Sequence, residues 1–263
     1  MINPIIKTSG IDYSFKNKQI LHNINLQINR GEILGLVGPN GAGKTTIFNI
    51  LTGLIKPNNG TIEINGTNLN YLSITQKSKL ISVVPQNTIF PEDMSVFELI
   101  SMGRNPHLNI LAWESAKDNQ ITIESIKTVG LLELASKKLK HISGGEKQLA
   151  LIATAICQES PIMLLDEPTS NLDMKNQFHI MDTISEIRQN ANKAIIITLH
   201  DLNLASKYCD NIVFLKEGSI FCQGTPADVI TSETIEDVYG IPVHILNDPT
   251  VSHPIVHPIT KTL

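Results

Sequence analysis

Apolar and polar residues follow two different patterns along the chain. In residues 24–28 and 60–64 apolar and polar positions alternate, which is typical of strands that bury one face in an antiparallel sheet. Ile33–Val37, 162–165 and Ala194–Thr198 are instead continuous apolar runs, each followed by glycine or by polar and acidic residues. Strands buried on both faces of a parallel sheet have this composition. The sequence therefore predicts an antiparallel lobe and a parallel core.

Helical patterns lie between the continuous apolar runs. They predict an α/β core that binds its ligands at the carboxyl ends of the strands. Residues from about 90 to 139 are charged and rich in leucine and isoleucine, so we expect a mostly helical insertion there. Within this insertion 96–102 and 118–134 are predicted helices, and a further helical run covers 147–158.

Two segments carry no periodic pattern. Residues 103–111, which include Pro106 and end near the single tryptophan, Trp113, are predicted to form a loop inside the helical insertion. The tail from residue 241 is rich in proline and is predicted to be irregular. No internal repeat or low-complexity segment is visible.

Composition excludes several classes of protein. The 263 residues are 41% hydrophobic and 17% charged, as in a soluble globular protein with one large core or with a core and a small satellite lobe. With 21 basic against 25 acidic residues there is no electrostatic footprint for nucleic acid or for anionic lipid. No apolar run reaches the roughly 18 residues of a membrane helix, and residues 1–10 do not resemble a secretory signal. A membrane association would therefore require a protein partner.

The cysteines and the C-terminal histidines do not indicate a metal site. Cys157, Cys209 and Cys222 are widely spaced in apolar or mixed segments, so we interpret them as small packing residues. His253 and His257 are four residues apart, but prolines interrupt the helix that would place both on one face.

The strongest chemical signal is a glycine-rich segment that directly follows the predicted strand Ile33–Val37. Its pattern is that of a phosphate-binding loop before a helix. Glycines let successive N–H groups turn toward phosphate oxygens, and the following helix presents its positive end. The lysine would contact the phosphates, and the threonine after it would offer a hydroxyl to Mg²⁺. This phosphate loop consists of Gly38, Pro39, Asn40, Gly41, Ala42, Gly43, Lys44, Thr45 and Thr46.

Two carboxylates end the apolar run 162–165. Adjacent side chains of a strand point to opposite faces, so Asp166 and Glu167 should have separate roles. We predict Asp166 as a ligand of the magnesium ion and Glu167 as the general base that activates the attacking water. Taken alone, acids at a strand end are more often part of a solvated loop; the upstream phosphate loop favours the catalytic interpretation.

A third signal, Ser143-Gly144-Gly145-Glu146, opens the helical run that follows it. Ser143 and Glu146 have the spacing of a capping box, which is a purely structural explanation. Two glycines in a first helical turn cost about 1 kcal/mol each relative to alanine, so helix formation does not explain them. Bare backbone at a helix N-terminus suits a second contact with phosphate.

The order of these segments resembles the ATP-binding subunit of an ABC transporter. The phosphate loop is followed by Ile142–Glu146, by Asp166-Glu167-Pro168-Thr169, by residues 170–173 and by Leu199-His200-Asp201. The resemblance covers nearly the whole chain. It implies an α/β P-loop NTPase fold with an antiparallel β lobe and a helical subdomain. It also implies a head-to-tail homodimer in which two ATP molecules lie between the phosphate loop of one protomer and the Ser143–Glu146 signature of the other.

The same resemblance implies further site residues. His200 would contact the γ-phosphate, Asp173 would line the dimer seam, and Gln86 would sense Mg²⁺. Phe15 would stack on adenine, although Tyr13 remains an alternative. Each has a structural explanation too: His200 or Asp173 can cap a helix, Gln86 can be an ordinary loop amide, and Phe15 can be a packing residue.

The resemblance extends to domain boundaries and has three departures. We expect an ATPase domain over 1–240, with a helical subdomain of about 90–158, and a short tail over 241–263. Ile142 stands where the family usually has leucine, Glu146 stands where it usually has glutamine, and Leu149 occupies a position that is often basic. The second change adds negative charge close to a triphosphate.

Weaker marks resemble the ATPases of importers for ferric siderophores, haem and cobalamin. They lie in residues 98–107, in 199–205, in 208–210 and in 224–226. The resemblance implies ATP hydrolysis that drives uptake of a metal chelate, with a ferric siderophore favoured and haem or cobalamin as alternatives. The implied partners are an integral membrane permease and, indirectly, an extracytoplasmic substrate-binding protein. Such a subunit would lie at the cytoplasmic face of the cell membrane.

Two other classes remain as alternatives. A soluble ABC-type ATPase acting on nucleic acid or ribosomes would be expected to carry tandem ATPase units, a long coiled coil or basic extensions. A scaffold that binds nucleotide without turnover would not need Glu167 and His200. The sugar importers append a regulatory domain to this subunit, and too few residues follow Gly218 for such a domain.

Overall fold

The computed structural model describes residues 4–86, 88, 89, 91–108, 115–246, 248 and 250–259. These residues form two compact units. The first unit comprises the chain up to Leu72 and from Ala194 onward, and the second is Ser73–Lys193. The predicted boundaries of the ATPase domain, helical subdomain and tail stay a prediction.

The two units contain the following strands and helices in chain order. The strands are β1 (Ile6–Phe15), β2 (Lys18–Ile24), β3 (Gln27–Ile28), β4 (Ile33–Val37), β5 (Asn59–Ile64), β6 (Thr67–Asn68), β7 (Ile81–Val84), β8 (Ile162–Asp166), β9 (Ala194–Thr198), β10 (Asn211–Lys216), β11 (Ser219–Gly224), β12 (Val243–Leu246) and β13 (Ile255–Pro258). The helices are α1 (Lys44–Leu51), α2 (Ile74–Leu80), α3 (Val96–Ser101), α4 (Ala116–Thr128), α5 (Gly144–Cys157), α6 (Met174–Ala191), α7 (Leu202–Tyr208), α8 (Pro226–Val229) and α9 (Ser232–Tyr239).

The antiparallel lobe of the first unit has the order β2-β1-β5-β6, with β3 also paired to β1. In β5 the buried Ile62 and Ile64 lie on either side of the half-buried Glu63, as in a strand that faces the core on one side. The prediction over 60–64 is confirmed. The predicted strand over 24–28 is wrong in its bounds, because β2 ends at Ile24 and the Leu26 N–H bonds to the hydroxyl of Thr8 at 2.7 Å.

The first unit also contains the strand that leads into the phosphate loop. Strand β4 pairs in parallel with β10 on one side and with β9 on the other. All five residues of β4 and all five of β9 are buried. The two predicted parallel strands are therefore confirmed, and their carboxyl ends lie at one edge of the sheet.

The second unit joins a parallel strand pair to a group of helices. Strand β8 pairs in parallel with β7, and every residue of β8 is buried, which confirms the strand predicted over 162–165. Helices α3, α4 and α5 pack on one another. The predicted helical insertion is thus present over the described residues, while its predicted start at residue 90 lies outside them.

Two predictions within the insertion are wrong. The helix expected over 118–134 ends at Thr128, because Gly130 adopts a left-handed φ of 72° that stops it. The loop expected from residue 103 is a 3-10 helix over Met102–His107, with Gly103 buried. A Cβ on Gly103 would lie 2.4 Å from the Thr154 carbonyl oxygen, so the close packing on α5 requires glycine. Residues 109–111 and Trp113 lie outside the described residues.

The prediction of an irregular tail is also wrong. Strands β12 and β13 form an antiparallel hairpin in which His244 pairs with His257. The prolines that suggested irregularity lie where they interrupt no ladder bond: Pro254 precedes β13 and Pro258 is its last residue. Among the described residues, no helix combines the length and the apolar character that a membrane span requires.

Candidate active site

The phosphate loop joins β4 to α1 through glycines with left-handed backbone. Gly38, Gly41 and Gly43 have φ values of 150°, 81° and 103°. A Cβ on Gly38 would lie 2.3 Å from the Leu215 carbonyl oxygen, and one on Gly43 would lie 2.6 Å from Leu21 Cδ2. At Gly41, in contrast, no atom of the described residues lies within 4 Å of such a Cβ. Packing therefore fixes the two ends of the loop and leaves its middle open.

Helix α1 begins at Lys44, and no described side chain caps its first turn. The positive end of the helix is thus available to an anion. Lys44 is 6% exposed, and its Nζ donates hydrogen bonds to the carbonyl oxygens of Gly38 at 2.7 Å and Pro39 at 3.1 Å. The ammonium group lies over the loop, and Thr45 next to it is exposed. The loop can therefore offer amide donors, a cation and a hydroxyl to a phosphate chain.

Two other predicted site residues belong to the first unit. Phe15 ends β1 with 60% of its surface exposed, and Lys16 Nζ lies 5.7 Å from the centre of its ring. Tyr13, the alternative for stacking, is half-buried and pairs with Leu21. His200 is exposed just beyond β9. An exposed ring is available to stack on a base, which favours Phe15 over Tyr13.

The carboxylates of the second unit stand at the end of β8. Asp166 is its last residue and is 9% exposed, whereas Glu167 is half-buried and has a left-handed φ of 47°. The Gln86 side-chain amide, which follows β7, donates a hydrogen bond to Glu167 Oε2. A strained backbone at a polar residue is common at functional sites.

The signature segment caps α5. Ser143 is the N-cap, its N–H donates to Glu146 Oε2 at 2.6 Å, and the Glu146 N–H donates to Ser143 Oγ at 3.3 Å. This is the capping box that the spacing predicts. A hydrogen bond from the Ser143 backbone N–H has the largest effect on the Glu146 carboxyl and lowers its pKa below the usual value; the Ser143 hydroxyl lowers this pKa further. Glu146 therefore turns back to the backbone, and its charge is held at the start of the helix.

The two signature glycines have different surroundings. A Cβ on Gly145 would lie 2.9 Å from Cγ of Asn176 in α6, so packing alone explains this glycine. Gly144 is exposed, and the nearest atom to its Cβ would be Leu172 Cδ2 at 3.9 Å. Packing does not explain why Gly144 lacks a side chain. A ligand that approaches the bare N-terminus of α5 would explain it.

Asp173 is the N-cap of α6. Its carboxylate accepts hydrogen bonds from the Asn176 N–H at 2.8 Å and from Asn176 Nδ2 at 3.0 Å. The structural explanation for Asp173, that of a helix cap, is therefore present. Its predicted place at a dimer seam stays a prediction.

Comparisons with known proteins identify the family. The model of the ABC transporter family matches residues 21–170. A second model, an AAA domain of the AbiEii toxin type, matches the shorter range 135–206. An uncharacterized ABC transporter ATP-binding protein of Methanocaldococcus jannaschii is 39% identical over 256 residues, which cover 97% of this chain and 98% of that protein.

The chain belongs to the ABC transporter family. A second relative is the ferric enterobactin transport ATP-binding protein FepC of Escherichia coli, 33% identical over 92% of this chain and 90% of the relative. A solved structure described as an inward-facing conformation of a metal-chelate type ABC transporter is 28% identical, with a TM-score of 0.85 over 98% of this chain and 99% of the other. The predicted α/β fold of an ABC ATPase is confirmed, and the protein is an ATPase that binds ATP.

Two contacts of this ABC ATPase have no signal in the sequence. Gln86, which is predicted to sense Mg²⁺, donates a hydrogen bond to Glu167. The second is the close approach of Gly145 to the Asn176 side chain. Neither pair shares a sequence pattern, because 81 residues separate the first two and the second pair lies on different helices. The left-handed turn at Glu167 has no sequence signal, since glutamate seldom adopts it.

Proposed function

We propose that this ABC ATPase energises the uptake of a metal chelate, and that its cargo is a ferric siderophore. The observation that carries the proposal is the likeness over 98% of the chain to a transporter of the metal-chelate type. A ferric enterobactin ATPase is 33% identical and is matched over 90% of its own length, whereas a cobalamin import ATPase at 32% is matched over 63% of its own length, which supports the siderophore.

The phosphate loop is the proposed site for the ATP triphosphate. Its backbone amides and the open end of α1 bind phosphate oxygens, and Lys44 exchanges the carbonyls of Gly38 and Pro39 for the β- and γ-phosphates. Phe15 stacks on the adenine ring. The open space at Gly41 supports the proposal, since it leaves the loop backbone accessible to a ligand.

The proposed metal ion is Mg²⁺, held by Thr45, Asp166 and Gln86. A hydroxyl, a carboxylate and an amide oxygen are the hard donors that Mg²⁺ prefers, so the residues fit the ion. The Gln86 nitrogen bonds Glu167, and its oxygen is the atom available to a metal or to a water. When bound, the ion would neutralise charge on the phosphate chain.

Glu167 is the proposed general base. It accepts the proton of the attacking water, and the hydrogen bond from Gln86 holds its carboxylate in one direction. His200 is proposed to contact the γ-phosphate and to orient the same water. A positioned carboxylate next to a positioned water supplies most of what phosphoryl transfer needs from a protein.

The second half of each site is proposed to come from another copy of the chain. The bare backbone at Gly144 and the Ser143 hydroxyl contact the γ-phosphate of the ATP held by the partner, with Asp173 at the seam. The open surroundings of Gly144 support this arrangement. The result is a head-to-tail homodimer with two ATP molecules.

The homodimer is proposed to lie at the cytoplasmic face of the cell membrane, held by a separate integral permease. An extracytoplasmic binding protein would deliver the chelate to the permease, with no contact to this subunit. The family membership supports a transport complex of this kind.

Uptake measurements in a deletion strain test the proposal. Cells without the gene should lose uptake of radioactive iron supplied as a siderophore complex, and keep uptake of haem and cobalamin. The wild-type gene should restore uptake, and a gene with Lys44→Ala should not. If the cells lose uptake of cobalamin or haem instead, that compound is the cargo and the ferric siderophore is not. Unchanged uptake of all three, with ribosomes co-purifying, would favour the soluble alternative.

A further inference from the structure

Strands β12 and β13 form a hairpin, called here the C-terminal hairpin, that packs against two helices of the same chain. The proposed function gives no reason for this packing. A two-stranded hairpin on its own is marginally stable in water. This hairpin packs against α7 and α9, and its residues Val243 and Pro254 are buried. Helix α7 is the helix that directly follows His200.

The Asn203 side chain joins α7 to the edge of the hairpin. The Ile259 N–H bonds the Pro242 carbonyl at 3.0 Å, and bonded pairs alternate along an antiparallel ladder. The N–H and C=O of Val256 therefore point away from β12. The Asn203 carboxamide takes both: the Val256 N–H donates to Oδ1 at 2.7 Å, and Nδ2 donates to the Val256 oxygen at 3.2 Å. The amide pairs with Val256 as another strand would.

A second bond lies about one helical turn further along α7. The Ser206 hydroxyl donates to the Pro254 carbonyl oxygen at 2.6 Å, and Ser206 is only 3% exposed. Residues three apart share one face of a helix, so Asn203 and Ser206 both face the hairpin. Two bonds from one face to two points of the hairpin fix the orientation of α7 as well as its distance.

The same residues connect to His200 through the start of the helix. Asp201 is the N-cap of α7, and its Oδ1 accepts hydrogen bonds from the Asn203 N–H at 2.7 Å and the Leu204 N–H at 3.1 Å. Asn203 is thus bonded to Asp201 by its backbone and to Val256 by its side chain. Helix α7 has only 7 residues, and a helix of that length depends on outside contacts for its stability.

We propose that the C-terminal hairpin positions His200. Asn203 is the positioning residue through which the hairpin orients the start of α7 and, with it, His200. The inference rests on the proposed function, in which His200 meets the γ-phosphate. The hairpin fixes the first turn of α7, and the first turn fixes the backbone from which the imidazole extends. Asn203 lies within 199–205, a segment in which a chemical role is otherwise assigned only to His200.

Steady-state ATP hydrolysis by the whole 263-residue chain tests the proposal. Asn203→Ala removes both bonds to Val256, and Asn203→Asp keeps the acceptor while losing the donor. We expect kcat to fall about fivefold in the first variant and less in the second, because small misplacements of a reacting group are costly. The KM for ATP should not change, since the phosphate loop is untouched. Asn70→Ala, at an exposed asparagine in a 3-10 turn, is the matched control.

A double-mutant cycle with His200→Ala separates positioning from general stability. If Asn203 acts through His200, adding Asn203→Ala to His200→Ala should lower single-turnover hydrolysis by less than about twofold further. An undiminished fivefold effect in that background would overturn the proposal. So would an unchanged kcat in Asn203→Ala, or a parallel loss of kcat, ATP affinity and melting temperature.

The proposed function can fail separately. If the wild-type chain binds ATP and releases no phosphate, with or without a permease, the proposed function is wrong and the inference falls with it. If the wild type hydrolyses ATP and both Asn203 variants match it, only the inference is wrong.

Discussion

The side-chain amide of Gln86 donates a hydrogen bond to the carboxylate of Glu167. The two residues follow the parallel strands β7 and β8, in which Val84 pairs with Leu165. Glu167 reaches Gln86 from a left-handed turn with φ 47°. A conformation that glutamate seldom adopts is held here in part by an amide that points the carboxylate in one direction. The hydrogen bond from Gln86 thus sets the direction of the proposed base, Glu167.

Replacing Glu167 with glutamine should stop hydrolysis while leaving ATP binding intact. Glutamine keeps the size of the side chain but cannot accept the proton of the attacking water. Turnover should fall by about 10² to 10⁴, the range for loss of a general base. Phosphate release and nucleotide binding, measured on the same preparation, check the separation. Glu236→Gln, at an exposed position of α9, should leave both unchanged, and near-normal turnover in Glu167→Gln would remove Glu167 from the role.

Alanine at the two signature glycines should separate packing from ligand contact. In Gly145→Ala the new Cβ would lie 2.9 Å from Asn176, so we expect a loss of about 1 to 3 kcal/mol of unfolding free energy. In Gly144→Ala the Cβ has room, and the unfolding free energy should stay within about 0.5 kcal/mol of wild type. The second variant should nevertheless lose ATP-dependent dimerisation, measured by light scattering. Normal dimerisation in Gly144→Ala would argue against phosphate contact there.

Asp118 should make the helical subdomain sensitive to acid. Hydrogen bonds from Ser115 and then the ion pair with Arg104 hold the pKa of the Asp118 carboxyl at about 2, below its ordinary 3.8. Since the folded-state pKa is the lower one, the stabilisation is complete above 3.8 and is lost as the pH falls toward about 2. Arg104 is buried at 4% exposure and depends on this carboxylate, on Glu159 and on the Cys157 oxygen.

Melting temperatures of Asp118→Asn and wild type across pH test that expectation. The variant should melt several degrees lower at neutral pH, and the difference should shrink below pH 3.8. Asp93→Asn is the matched control, because Asp93 pairs with Lys138 and Lys140 at the surface. Such exposed pairs contribute little to stability. A difference between Asp118→Asn and wild type that is independent of pH would contradict the assignment.

Removing the ring of Phe15 should weaken nucleotide binding without affecting the fold. With 60% of its surface exposed, Phe15 contributes little to the core. Stacking of a base on an aromatic ring contributes about 1 to 3 kcal/mol, so Phe15→Ala should raise the Kd for ATP by about 5- to 150-fold. Phe15→Trp should keep the affinity, and titration with a fluorescent ATP analogue measures both. An unchanged Kd in Phe15→Ala would return attention to Tyr13.

Much of the candidate site could be predicted because its chemistry is local in sequence. The phosphate loop, the capping box of Ser143 and Glu146, and the acids after the buried run 162–165 each depend on residues within one short segment. Three predicted apolar runs became buried parallel strands for the same reason, since a continuous apolar segment has no polar face to expose.

Predictions were wrong where distant segments decide the conformation. Gly103 was expected in a loop, yet its lack of a side chain lets a 3-10 helix approach the Thr154 carbonyl. Residues 243–258 were expected to be irregular, yet they form a hairpin whose edge is completed by Asn203. Neither outcome has a local cause, because the partner is 51 or more residues away in each case.

The sequence by itself determined the family, the phosphate loop, the pair of acids and the helix caps. Each is a short-range pattern whose geometry follows from glycine freedom, strand alternation and capping. Only the tertiary structure decided that Gln86 holds Glu167, that Gly145 is required by Asn176 while Gly144 is not, and that Asn203 joins the C-terminal hairpin to the helix after His200. Side-chain pairs of this kind form when packing brings separate segments together, and no residue pattern records them in advance.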